Sequence, residues 1–186
     1  MTGDDRMLQI TIPAREMWDE QNNEFVYTNE QTLQLEHSLI SLSKWESKWN
    51  KPFLSKESKT YEEVLDYVKC MTLTQKVSPE IYVNLTDENM CDIQRYIEAP
   101  MTATTFSEEK NTKGNREIVT SELIYYWMIA LGIPMECEKW HLNRLLTLVR
   151  VCDIKNSPPK KMGKNAIMSR NASLNAARRK RLNSKG

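Results

Sequence analysis

The sequence predicts a mainly α fold: a bundle of five to seven helices, a short N-terminal β-hairpin and a basic C-terminal tail or helix. Three observations carry this expectation. Apolar residues recur at spacings of three and four through most of the chain after residue 35. Prolines and capping residues cut that pattern into helix-sized lengths. Only five glycines occur in 186 residues, which argues against an all-β fold and against glycine-rich loops that cradle phosphates. Five Trp, seven Tyr and three Phe in a 40% hydrophobic chain supply a core for one ordinary domain and exclude wholesale disorder.

Leu8-Gln9-Ile10-Thr11-Ile12 alternates apolar and polar residues until Pro13 stops it. Glu24-Phe25-Val26-Tyr27-Thr28 is aromatic and β-branched, and residues 19–23 before it read as a turn. The two segments are expected to pair as a hairpin that packs on the helices, since a lone two-stranded hairpin is marginal. Its edge could instead accept a strand from a partner or a second copy. Leu35, Leu39, Leu42, Trp45 and Trp49 then give one apolar stripe on a helix of about 15 residues, ended by Pro52. Thr60-x-x-Glu63 is a capping-box pattern, followed by an apolar face of Val64, Leu65, Val68, Met71 and Leu73. Ser78-Pro79 opens a short helix through Tyr82 and Val83, with proline at its first position. Thr86-Asp87-Glu88 starts another, with Met90, Ile93, Tyr96 and Ile97 inward until Pro100.

Residues 102–116 read as a surface loop. The most apolar stretch, Ile118 to Leu131, ends at Gly132, placed as a left-handed C-terminal cap. After a short turn, Trp140, Leu142, Leu145, Leu146, Leu148, Val149 and Val151 form a second strongly apolar helix. The pair is expected to make an αα-hairpin core, with both helices buried on more than one side. Adjacent Pro158 and Pro159 cannot lie inside a helix, so the body is expected to span 1–154 and the linker and C-terminal helix 155–186. Lys164 to Leu182 has helix formers but sparse apolar points, the pattern of a mobile or docking helix. No internal repeat is visible.

The net charge of +1 hides an asymmetry. Ten Lys/Arg and no acid lie between Lys155 and Gly186, leaving 16 basic and 25 acidic residues before them, a net −9. An acidic body thus carries a tail of about +10, the electrostatic footprint of contact with nucleic-acid phosphates or with an acidic protein surface. A protein partner, self included, is the favoured expectation. No aromatic interleaves the tail, so the stacking groups of a single-strand binder are missing. Lys160, Lys161, Arg178, Arg179, Lys180 and Arg181 are the candidate contact residues. Trp45 and Trp49 join them, because they share a helix face near Lys44, Lys48 and Lys51 and are expected to be half exposed.

Catalytic chemistry is not advertised. His37, beside Glu36, is expected to face solvent or cap its helix. His141 follows Cys137 by four residues, a spacing that could supply two zinc ligands, but Cys70, Cys91 and Cys152 are scattered and no close pair completes the site. Buried, reduced thiols are expected instead, without disulfides, metal or cofactor. The carboxylate pairs Glu36/Glu46, Glu62/Glu63 and Glu136/Glu138 are placed on exposed faces or helix starts. There is no P-loop, no dinucleotide fingerprint and no nucleophile elbow. No apolar run approaches the roughly 20 residues that cross a bilayer, and the first residues carry acids where an export signal would carry bases. A soluble, intracellular, non-enzymatic protein is expected.

Several stretches carry a resemblance: Leu35-Glu36-His37-Ser38-Leu39, Lys44-Trp45-Glu46-Ser47-Lys48-Trp49, Glu98-Ala99-Pro100-Met101-Thr102-Ala103-Thr104, Ile124 to Leu131, Trp140 to Leu148, Met168 to Asn171 and Leu174 to Arg179. Over nearly the whole chain these resemble a family of small proteins from the tail-morphogenesis module of long-tailed bacteriophages and prophages. The resemblance implies a tail assembly chaperone in the bacterial cytoplasm. Such proteins are small, largely helical and non-enzymatic, and they keep the long tape-measure protein soluble until tail-tube subunits polymerise around it. It also implies tape-measure and tail-tube partners, with the basic tail as a recruiting extension. A virion tail or connector protein, and a nucleic-acid-binding protein acting through residues 178–181, are the alternatives.

Overall fold

The computed structural model describes residues 7–19, 23–106, 118–157 and 163–183. The chain divides into two compact units, Met1–Asp153 and Ile154–Gly186. The described residues are mainly helical, with strands only at the N-terminal end.

Four short strands open the first unit: β1 (Leu8–Ile12), β2 (Arg15–Asp19), β3 (Glu24–Thr28) and β4 (Gln31–Leu35). β2 pairs antiparallel with β3, and β1 with β4, so that Ile10 stands opposite Leu33. The expected pairing of Leu8–Ile12 with Glu24–Thr28 is therefore corrected. The partner of β1 is Gln31–Leu35, and Leu35 belongs to that strand rather than to the helix that follows. Pro13, which has no N–H to give a ladder, separates β1 from β2. Ile10, Ile12, Leu33 and Leu35 all point into the core, while Thr11 and Thr32 meet on the outer face, Oγ1 to Oγ1 at 3.2 Å. The outer edge of β4 is closed by a short run after the second helix, where Leu73 N–H donates to Gln34 O at 2.8 Å.

α1 (Leu39–Trp49) starts at Ser38, whose side chain caps Ser41 N–H, and ends at Asn50 in the left-handed region with φ 53°. α2 (Tyr61–Met71) opens with the expected capping box of Thr60 and Glu63. It stops at Met71, so Leu73 lies beyond it and is exposed. The Ser78-Pro79 signal gives a 3-10 turn, Pro79–Asn84, with proline at its start. α3 (Asp87–Glu98) carries a second capping box, Thr86 with Asn89, and packs on β1. Asn89 Nδ2 donates to Thr11 O across that contact at 3.3 Å. Residues 102–106 are irregular; the rest of the loop expected over 102–116 lies outside the described residues.

α4 (Ser121–Ala130) closes with Gly132 at φ 65°, where Ile133 N–H reaches Met128 O and Gly132 N–H reaches Ile129 O. These two bonds form a Schellman cap that needs a left-handed residue between them. A 3-10 turn, Met135–Lys139, leads into α5 (Leu142–Asn156).

Two clusters share α1. Trp45 joins Ile12, Leu35, Tyr67, Met71, Ile93 and others in the first. Leu39 and Leu42, on another side of α1, join Ile124, Met128, Leu142 and Leu145 in the second. Glu46, expected on an exposed face, is buried between them: its carboxylate accepts Phe53 N–H at 2.8 Å and Ser121 N–H at 2.7 Å. Glu63 sits at a helix start as expected, but it too is buried. The four cysteines are free; Cys137 is buried while Cys91 is exposed, which corrects the expectation for that thiol. Among the described residues, no helix is long and apolar enough to cross a membrane.

In the second unit, α6 (Lys164–Leu182) is a 19-residue helix ending on Asn183 in the left-handed region. Ile167, Met168, Leu174 and Leu182 are all exposed on it.

Candidate partner-binding surface

The tryptophan patch expected on α1 is an internal interface. Trp45 is 0% exposed, and its Nε1–H donates to the Glu63 carbonyl at 2.8 Å. Trp49 is half-buried, stacked on Trp45, with Nε1–H on Asp66 Oδ2 at 2.9 Å. Lys48 pairs with the same Asp66 carboxylate and Lys51 with Glu63. The aromatic and basic residues that suggested a contact surface thus bind α1 to α2. Burial works to raise the Asp66 carboxyl, but hydrogen bonds from Lys48 and Trp49 outweigh it and hold the group below its usual value. The Lys51 ammonium and Thr60 N–H do the same for Glu63.

His37 is also corrected, since it is buried rather than solvent-facing. Its Nδ1 lies 2.6 Å from Tyr67 Oη, and its ring is edge-on to His141 with centroids 5.0 Å apart. His141 Nδ1 accepts Asn143 N–H at 3.3 Å and Nε2 lies 2.9 Å from Tyr96 O. A backbone donor on one nitrogen and a backbone acceptor on the other fix His141 as the neutral Nε2–H tautomer. Burial, then the neighbouring His141, pushes His37 down to about 3; burial lowers His141 as well. The pair is a neutral structural joint. Among the described residues, no group of three or more His, Cys, Asp or Glu is placed to hold a metal ion.

The exposed apolar surface lies elsewhere, on α4 and α5. In α4 the buried positions are Ser121, Ile124 and Met128, one stripe facing the second core. The helix is apolar around most of its circumference, so Tyr126 (63% exposed) and Ile129 (71%) are left facing water. Burial of α4 on more than one side is therefore corrected. Tyr125 holds this orientation by donating its hydroxyl to Glu138 at 3.0 Å; burial and that carboxylate push its phenol up to about 12.

Next to the exposed stripe, a groove of about 500 Å³ runs between α4 and α5, lined by Trp127, Leu131, Leu146 and Val149, with Arg150 and Asp153 as its charged members. A second depression of about 790 Å³ shares Trp127 and Leu146 and adds Leu54, Ile118 and Val119. This surface escaped the sequence reading because an uninterrupted apolar run looks like a helix buried all round. The available signal was the same excess: more apolar residues than a single core-facing stripe uses.

α6 presents Lys164, Arg170, Arg178, Arg179, Lys180 and Arg181 without one acidic residue, and each is exposed. Lys160 and Lys161 lie outside the described residues. Comparison with protein families, curated proteins and solved structures finds no match.

Proposed function

We propose that this protein is a non-enzymatic phage tail assembly chaperone, acting in the cytoplasm of the bacterial host. It holds an apolar helical segment of the tape-measure protein on the α4–α5 surface and uses its basic C-terminal helix to recruit acidic tail-tube subunits. The observation that supports this reading best is the water-facing side of α4. Tyr126, Ile129 and the Trp127–Leu146 groove form an apolar surface of the kind that accepts the apolar face of another helix. The sequence resemblance to tail-morphogenesis proteins supplies the identity of that helix. A second reading has its own support: an exposed helix with a run of four cations and no acid also suits nucleic-acid phosphates.

The test is a pull-down of the tagged full chain against separately expressed tape-measure and tail-tube proteins. The double variant Tyr126→Ser/Ile129→Asp is expected to lose the tape measure while keeping its fold. A chain ending at Asn156 is expected to keep the tape measure and lose the tube protein. Binding of the tape measure only by the full chain would make the basic helix the docking element. No tape-measure binding, with salt-sensitive co-purification of nucleic acid, would replace the chaperone reading by the second one. Persistence of the protein in finished particles would make it a virion component.

A further inference from the structure

Along the side of α4 turned away from the core, Leu123 and Ala130 fall on one line, since seven positions make almost two turns. Tyr126 lies about 40° to one side of Ala130 and Trp127 about 60° to the other. Ala130 and Tyr126 are exposed, Leu123 is partly so, and Trp127 lines the groove with Leu146 of α5. A projecting ring and an apolar hollow thus flank a small residue at nearly the same height on one helix.

The surface is also large. Leu54 and Ile118 line the depression that shares Trp127 and Leu146. Together with Tyr126 and Ile129 they expose roughly 500 Å², beyond the few hundred Å² that a monomer ordinarily leaves contiguous. With the groove walls added, the surface approaches the ~800 Å² per copy that a specific interface buries.

We propose that this face pairs two copies of the chain, with α4 parallel to the second copy's α4 about a two-fold axis that follows the Leu123–Ala130 line. Such an axis brings each flank of the helix against the opposite flank of its mate and leaves its height unchanged. Tyr126 of each copy therefore enters the Trp127–Leu146 groove of the other, and the small Ala130 lets the two backbones approach. An antiparallel pairing would set like flank against like flank and leave both grooves unfilled. Projection and hollow come from one chain, so a second copy supplies both complements at once, and the two-fold contact closes on itself. The consequence for the chaperone rests on the reading given above: a tape-measure helix displaces the second copy from this surface rather than adding to it.

Sedimentation of the full chain over a wide range of concentrations tests the pairing. A reversible dimer is expected. Tyr126→Ser/Ile129→Asp should weaken it about tenfold or more, and so should Ala130→Glu, which sets two carboxylates on the axis. All three side chains face water in a single copy. At concentrations too low for pairing, the variants should therefore unfold in urea much as the wild type does, which separates lost pairing from lost fold. Ala130→Cys in a Cys91→Ser background should cross-link on oxidation, because a residue on the axis stands within disulfide reach of its own copy. Ile129→Cys should not, since it lies on the outer flank, about 12–14 Å from its own copy at ordinary helix separations. A wild-type monomer at every concentration, a dimer indifferent to these substitutions, or a cross-link at 129 in place of 130 would each overturn the pairing. The dimer is read without the tape-measure protein, so any of these results would leave the chaperone reading standing. A chain that dimerises as described yet binds no tape measure would support the pairing and overturn that reading alone.

Discussion

Acid should destabilise this fold because of the buried His37. The perturbation is a fall in pH from 7 to 4.5. An unfolded imidazole titrates near 6.5, whereas the buried His37 ring titrates at about 3. A depressed native value means that the unfolded chain binds the extra proton. The stabilisation is therefore complete above the unfolded value and is lost as pH falls towards the native one. With one such group the loss by pH 4.5 is about 2.7 kcal/mol, a large part of the roughly 5–15 kcal/mol that holds a domain together. His141, also lowered, acts in the same direction. Glu36, the nearest carboxyl in sequence, is raised by burial and opposes them by taking up its proton in the native state. Tyr67 and Tyr96, the other titratable groups around the pair, are raised and stay neutral throughout. Urea unfolding at half-unit pH steps measures the effect. From His37 alone, stability should fall by about 1.2 kcal/mol per pH unit between 6 and 4.5. His37→Asn, which keeps a polar atom near Tyr67, should remove about one proton's worth of that slope. A flat profile from pH 7 to 4.5, or a slope unchanged in the variant, would refute the assignment of a neutral buried pair.

Gly132→Ala should cost about 1 kcal/mol, because the space around its Cβ is open but φ 65° is strained for an L side chain; calorimetry should show Tm lower by about 2–4 °C. Trp45→Ala should cost about 3–5 kcal/mol from lost packing and a stranded carbonyl, read by urea unfolding, while Trp49→Phe should cost much less. Glu46→Ala leaves the N–H groups of Phe53 and Ser121 without their carboxylate and should cost about 3 kcal/mol, with loss of amide protection at the start of α4 on hydrogen exchange. Tyr126→Ser/Ile129→Asp should change stability by no more than about 0.5 kcal/mol, since both side chains already face water.

What was legible in the sequence was local. Thr60 with Glu63, Pro79, Thr86 and Gly132 each act on backbone groups within a few residues, and each marks its element where expected. What was hidden depends on distant partners. Thr32-Leu33-Gln34-Leu35 alternates as a strand, but Leu35 is also four residues before Leu39, and only the pairing with β1 decides between the two periods. His37 carries no apolar signal of its own; its burial follows from Tyr67, Tyr96 and His141, which reach it from three other parts of the chain. Lys48 and Lys51 made Trp45 look wet, yet both reach across the Trp49 ring to acids on α2, and Trp45 itself is fully buried.

The sharing of α1 between two hydrophobic clusters has a consequence for how the first unit comes apart. A helix whose Trp45 side belongs to one cluster and whose Leu39 and Leu42 sides belong to the other cannot release either alone. The two clusters therefore lack independent melting transitions, and α1 amides should exchange only with global opening. Trp45, although it sits in one cluster, becomes an optical reporter for both.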